Sequence, residues 1–151
     1  MVSLYANRYL REWRTSFDTI RPDSLRPSDR EFDRLSAEYE EILRQFGERG
    51  VITCSNYASD CERYENLVGR ASKRRLIILL CYDNILPGDR CDLVGVLSHE
   101  TAHIAGFPVS EDHRGEAGQS DPVYVFRRTV ERMCRSWSEA YNTPNPSMPG
   151  F

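Results

Sequence analysis

The sequence predicts an α+β fold, a small domain that is mostly helical and has a short sheet beside one motif-bearing helix. Two long segments near the ends of the chain repeat apolar residues at helical spacing. Between them, residues 75–82 form a continuous apolar run with β-branched content, which is typical of a buried strand. A helical segment with a His-Glu-x-x-His motif follows that run. At 151 residues the chain has the length of one domain.

Two helices are predicted in the first third of the chain. The first covers residues 3–20, where aromatic residues recur every fourth position and approximate one apolar face. These residues are Tyr5, Tyr9, Trp13 and Phe17. Ser28 and Glu31 form a capping-box pattern that predicts the start of the second helix, and Gly47 and Gly50 are expected to end it. Its apolar stripe consists of Phe32, Leu35, Tyr39, Ile42, Leu43 and Phe46.

The helix after the strand carries the most specific motif. His99 and His103 lie four residues apart, so a helix places both on one face, where they can bind the same metal ion. Glu100 projects beside that metal and can accept a proton from a metal-bound water. Asp92 is expected to cap the helix, and Gly106 to end it in a left-handed conformation. Its predicted core face consists of Val94, Leu97, Thr101 and Ile104.

A catalytic zinc usually takes three protein ligands and keeps one position for water. The loop after the motif helix offers three adjacent candidates for the third ligand, Glu111, Asp112 and His113. Asp121 and Pro122 then predict the start of a last helix, with aspartate as the cap and proline in the first turn. The core face of that helix is expected to comprise Phe126, Val130, Met133 and Trp137.

The order of these features resembles the aspzincin metallopeptidases, the group of deuterolysin and peptidyl-lysine endopeptidase. The resemblance rests on His99, Glu100 and His103, followed after eight residues by Asp112, because that family takes an aspartate after the helix as third ligand. A strand ending in Cys81, a loop and the motif helix also follow the family's order. The resemblance covers roughly residues 51–137 in layout.

Chain length and the motif together predict a single zincin-like metallopeptidase domain over residues 1–151. Residues 1–50 are expected to form a helical N-terminal layer, 51–142 the catalytic part and 143–151 an irregular tail. The resemblance favours Asp112 over His113 as third ligand, with the other side chain as its supporting partner. Five cysteines leave one thiol unpaired if the rest pair. By analogy with the family, the pairs are Cys61 with Cys81 and Cys91 with Cys134.

The chain also departs from the family pattern. The residues before Asp112 are not the family's Gly-Thr, and the tyrosine-rich run after it is missing. Tyr124 or His113 is therefore expected to help hold the transition state, with Arg114 as a further candidate. The strand at 76–80 is expected to pair with an extended substrate. Lysine specificity in the family relies on acidic pocket residues, but Glu111 and Glu116 are interpreted as surface acids.

These features predict a zinc-dependent endopeptidase that uses Glu100 as general base and acts on a protein or peptide as a monomer. The alternatives are a non-catalytic zinc-binding interaction module and a metal-dependent hydrolase of a non-protein amide, such as cell-wall peptide. A net charge of -3 gives no reason to expect a nucleic acid, and no apolar run predicts a membrane span.

The sequence shows no signal peptide. A secreted toxin or effector, delivered to a target cell by another route, is the favoured interpretation, with a cytoplasmic protein as the alternative. Lys73 is the only lysine. Genomic base composition explains that simply, whereas escape from lysine-directed modification in a host cell would fit an effector.

Overall fold

The computed structural model describes residues 2–54, 59–63, 67–81, 84, 90–111, 113 and 120–142, without the side chains of 2–6, 54, 59, 60 and 139–142. Within these ranges the chain is mostly helical and has one three-stranded sheet. The predicted α+β class is confirmed at this level. The tail predicted at 143–151 lies outside the described residues.

The first two helices match the sequence prediction in position but not in every boundary. Helix α1 covers Val2–Thr15 and is followed by short 3-10 turns, so it ends earlier than predicted. Helix α2 covers Asp29–Arg49 and starts with the predicted capping box between Ser28 and Glu31. Gly47 lies inside α2 rather than at its end. A glycine there costs only about 1 kcal/mol, and the neighbouring Arg44–Glu48 ion pair supports the last turn.

The N-terminal helices form part of the main core. Trp13 is fully buried, and its ring lies 4.5 Å from the ring of Phe107 and 5.5 Å from that of Phe126. Tyr39 of α2 meets Phe126 edge to face, with 5.1 Å between ring centroids. Since these aromatic contacts join both helices to the segments around the motif, α1 and α2 are a structural layer.

The sheet is formed by β1 (Val51–Cys54), β2 (Gly69–Ser72) and β3 (Ile77–Leu80), in the order β1-β3-β2. β3 is the central strand, parallel to β1 and antiparallel to β2. It is shorter than the predicted run, because Leu76 adopts a φ of 50° and belongs to the preceding turn. A short helix, α3 (Ser59–Arg63), lies between β1 and β2.

Helix α4 (Arg90–Ala105) carries the motif, and helix α5 (Pro122–Asn142) packs along it. The prediction that Asp92 caps α4 is wrong. The helix begins two residues earlier, and Asp92 instead forms an ion pair with Arg135 of α5. Gly106 ends α4 with a φ of 79°, as predicted. Asp121 caps α5 by accepting hydrogen bonds from the first turn, which is also as predicted.

Two disulfides hold the elements around the site. Cys61 of α3 is bonded to Cys81, directly after β3, and Cys91 of α4 is bonded to Cys134 of α5. Both pairings inferred from the family resemblance are therefore confirmed. The side chain of the fifth cysteine, Cys54, lies outside the described residues. Among the described helices, none combines the length and the apolar composition needed to cross a membrane.

Candidate metal centre

Helix α4 is buried on most sides because it lies between β2, α2 and α5. This position takes polar side chains of the motif into the interior. His99 is 6% exposed and Glu100 is 5% exposed, while His103 is partly buried. Buried polar groups of this kind need partners or a function, because their desolvation is costly.

Three histidines converge at the buried end of this helix. Nε2 of His103 lies 3.1 Å from Nε2 of His99 and 3.0 Å from Nε2 of His113. One donor atom from each ring lies within 4.8 Å of those of the other two. His113 comes from the loop after Gly106, so the chain's turn at that glycine returns the loop to the helix.

The donor set fits a zinc ion. Zinc–nitrogen bonds of about 2.0–2.1 Å at tetrahedral angles place ligand atoms about 3.3 Å apart, close to the two spacings observed here. Burial, followed by the neighbouring histidines and Arg127, lowers the pKa of His99 to about 2. Burial and then His113 lower the pKa of His103 to about 4, against the opposing charge of Asp121. Both rings are therefore neutral at pH 7, the form in which imidazole binds a metal.

Asp121 orients the third histidine. Its carboxylate is fully buried, and its Oδ2 lies 2.5 Å from Nδ1 of His113. The same carboxylate accepts hydrogen bonds from the backbone N–H groups of Ser110, Val123 and Tyr124. A carboxylate that accepts from Nδ1–H leaves the Nε2 lone pair of His113 for a metal. Nδ1 of His99, in contrast, is buried and has no hydrogen-bond partner among the described residues.

Glu100 lies beneath strand β2. Burial raises the pKa of Glu100 to about 7, and the charges of His113 and Arg127 limit that rise. A general base works best when its pKa is near the working pH. Gly69 of β2 makes the close approach possible, because a Cβ atom there would lie 2.9 Å from Oε1 of Glu100 and 3.1 Å from its Cγ.

A cavity of about 510 Å³ opens above these groups. One wall is the segment 67–71, which includes most of β2, and the other walls include Tyr124 and Arg127 of α5. The Tyr124 ring packs against the imidazoles of His99 and His113, at centroid distances of 4.7 and 5.0 Å. The structure thus brings Tyr124 to the histidine group, and its expected role in holding the transition state stays a prediction.

Two expectations about neighbouring residues are settled by their positions. The prediction that the strand at Leu76–Leu80 pairs with a substrate is wrong. This strand is β3, and β1 and β2 are hydrogen-bonded to its two edges. β2 is the edge strand beside the cavity in the described sheet. Glu111 is exposed and does not line the cavity, as its interpretation as a surface acid predicted.

Three further candidates, Asp112, Arg114 and Glu116, lie outside the described residues. The preference for Asp112 over His113 as third ligand therefore stays a prediction. His113 is the one of the two that the described structure places with His99 and His103.

Three contributors to the site were not predicted from the sequence. Asp121 was recognised as a helix cap, but its bond to His113 depends on how the intervening loop folds back. Gly69 lies in a Gly-Arg-Ala-Ser strand without apolar alternation, so no periodic signal predicted it. Arg127 follows Tyr124 by three residues, and this helical spacing was the signal that would have placed both side chains on the same cavity wall.

No protein-family model, curated protein or solved structure matches this chain.

We predict that two substitutions of Asp121 separate its two roles. Asp121→Asn keeps an oxygen to cap α5 but places an NH2 group at Oδ2, which accepts from Ser110 and His113. Zinc affinity should therefore fall about 10–100-fold, and the lost Ser110 bond should cost about 1–3 kcal/mol of stability. Asp121→Ala should also lose about 1 kcal/mol of capping stability. Chelator competition measures the first effect and urea denaturation the second. Unchanged zinc affinity in the asparagine variant would rule out the orienting role.

Proposed function

We propose that the protein is a zinc-dependent endopeptidase. The observation that carries this proposal is the convergence of three imidazole nitrogens beside a buried glutamate at the floor of an open cavity. A buried carboxylate that lines an open cavity beside the histidines can serve as a base, whereas a purely structural metal site has no use for one. The proposed ligands are His99, His103 and His113, with Asp112 as the alternative third ligand that the family resemblance implies.

The proposed mechanism divides the chemistry among three groups. Zinc, when bound, supplies Lewis acidity and lowers the pKa of water from about 16 toward about 7. Glu100 accepts the proton of the attacking water and then delivers it to the leaving amine. Tyr124 donates a hydrogen bond to the oxyanion of the tetrahedral intermediate, a role that its contact with two ligand rings supports.

The proposed substrate is an extended peptide that adds to β2. This strand has β3 on one side and the cavity on the other. Backbone groups on an open strand edge pair with a peptide independently of its sequence. Strand addition therefore holds a peptide along the cavity wall, with its scissile carbonyl near the histidine group.

The zincin-like fold, the cellular location and the partners are also part of the proposal. The motif, the strand order and the two disulfides agree with an aspzincin-like, zincin-type domain. Disulfides persist in oxidising compartments, which supports secretion over a cytoplasmic location, while delivery to a target cell stays a prediction. A monomeric state and the absence of nucleic-acid and membrane partners stay predictions.

The proposed activity is tested by incubating the zinc-loaded protein with a mixed peptide library and reading cleavage sites by mass spectrometry. We expect internal cuts that require zinc and disappear when a chelator is added. If no peptide is cut while zinc binds stoichiometrically, the endopeptidase proposal fails. A parallel digestion of cell-wall peptide then separates a hydrolase of non-protein amides from a non-catalytic binding module.

We predict that Gly69→Ala lowers the turnover number without unfolding the protein. The added methyl group would lie 2.9 Å from Oε1 of Glu100, so the end of that side chain must shift and is then misplaced for proton transfer. Misplacement by about 1 Å can cost on the order of 100-fold in rate. Steady-state kinetics on a cleaved peptide measures the loss. Ala71→Gly, which alters the same strand by one methyl group in the opposite sense, is the control and should retain more activity.

A further inference from the structure

Arg127 is a charged side chain of the cavity wall that the proposed mechanism does not use. Its side chain is 23% exposed, and its Nε donates a 2.7 Å hydrogen bond to Glu131, one turn further along α5. That bond engages one of the five N–H donors of the guanidinium group. The planar arrangement of the others suits a carboxylate, which can accept two of them at once.

The pair is held in place by the adjacent helix. Glu131 is 13% exposed and packs over Gly95 of α4. A Cβ atom at Gly95 would lie 2.3 Å from Oε1 of Glu131 and 2.4 Å from its Cγ, so only glycine leaves room for this side chain. The packing of Glu131 over Gly95 and its hydrogen bond to Arg127 therefore hold the guanidinium group of Arg127 at the cavity wall.

The charges around the cavity favour an anionic ligand. Among the described residues that line it, the cationic side chains are Arg70 and Arg127, and the acidic one is Glu100, while Glu131, the partner of Arg127, is not part of the lining. Glu100 is nearly fully buried, whereas Arg70 of β2 is exposed and lines the cavity. A bound zinc ion would add further positive charge. A substrate lysine would thus meet like charge, and a carboxylate would meet opposite charge.

The position of Arg127 relates this charge to the reaction site. It follows Tyr124, which contacts the histidines, by three residues or about 4.5 Å along the helix axis. An extended peptide advances about 3.3 Å per residue. A carboxylate at Arg127 therefore belongs to a residue within two positions of the scissile bond.

We propose that Arg127 forms a specificity subsite for a carboxylate, so that the preferred substrates are peptides with an acidic residue within two positions of the cleaved bond. The inferred cleavage preference rests on the proposed peptidase function, whereas binding of a carboxylate at Arg127 can be measured without any cleavage. It also separates this cavity from the lysine preference of the family that the sequence resembles.

The test measures binding without turnover, using the zinc-loaded Glu100→Gln variant of the full chain. The probes are fluorescent, N-acetylated and C-amidated octapeptides that differ only in one Glu, Gln or Lys, scanned through all positions. At the best position we expect the Glu peptide to bind about tenfold to 100-fold more tightly than the Gln peptide, and the Lys peptide to bind most weakly.

When Arg127→Gln is combined with Glu100→Gln, the ratio of the affinities for the Glu and Gln peptides should fall to about twofold or less. Arg127→Lys should restore part of this ratio, because lysine keeps the charge without the planar guanidinium group. Arg128→Gln, which removes an exposed charge from the same helix, is the matched control and should leave the ratio unchanged. If Arg127→Gln unfolds the protein, Arg127→Gln combined with Glu131→Gln removes both members of the ion pair and serves instead.

The outcomes separate the two proposals. Equal binding of Glu and Gln peptides, or no binding of any peptide, overturns the carboxylate subsite. Cleavage of the peptide library without an acidic preference leaves the peptidase function standing and also overturns the subsite. Preferential binding of Glu peptides that depends on Arg127, with no cleavage by the zinc-loaded parent protein, supports the subsite and sinks the peptidase function.

Discussion

Glu100→Gln is expected to leave zinc bound while the rate of peptide hydrolysis falls by about 100-fold to 10,000-fold, the range attributed to a general base. Glutamine preserves the size of the buried side chain but cannot accept a proton at neutral pH. The three histidines keep their positions, since none of the observed contacts that orient them involves Glu100. Steady-state kinetics and metal analysis of the same preparation measure the two quantities.

Glu111→Gln is the matched control for that substitution. It makes the same chemical change at an exposed position in the loop after α4, and both hydrolysis and zinc content should match the parent protein. If Glu100→Gln hydrolyses peptides as fast as the parent, Glu100 is not the base and the proposed mechanism is wrong. If it loses zinc, the lost activity is explained by the metal instead.

His113→Ala is expected to weaken zinc binding by more than the roughly 10–100-fold that the loss of a supporting hydrogen bond costs. The reason is that Nε2 of His113 lies 3.0 Å from Nε2 of His103, in the position of a direct ligand. Asp112→Ala is expected to weaken binding less. Chelator competition on both variants provides the comparison.

The stability of the His113→Ala variant should change little. Asp121 retains its three backbone N–H partners, so the cap of α5 persists without the imidazole. A thermal melt of the zinc-free proteins checks this. The reverse order, with Asp112→Ala losing more zinc affinity than His113→Ala, would assign the third ligand to the aspartate, as in the aspzincins.

Local signals in the sequence predicted several helix ends correctly. The capping box at Ser28, the cap at Asp121 and the left-handed stop at Gly106 each depend on a few consecutive residues. Local rules of this kind succeed because a helix end is satisfied by atoms within one turn of it. The two disulfides were found differently, through the order of features shared with a known family.

Boundaries and roles that depend on distant residues were predicted less well. Asp92 has the chemistry of a cap, but it pairs with Arg135 of a later helix, and α4 begins before it. The apolar run that predicted β3 correctly indicated a buried strand. β3 is paired with β1 on one side and with β2 on the other, so it offers no edge to a substrate, and the edge strand beside the cavity is the polar strand β2.

The spacing of His99 and His103 was determined by the sequence itself, because four residues on a helix bring two side chains to one face. The joining of His113 to them was decided by tertiary structure. It requires the loop after Gly106 to fold back until Nδ1 of His113 reaches the buried carboxylate of Asp121. The close fit of Gly69 over Glu100 and the support of Arg127 by Glu131 likewise arise where β2 and α5 pack against α4. Hydrophobic periodicity predicts which face of a helix or strand a residue occupies, but long-range packing determines which residues that face contacts.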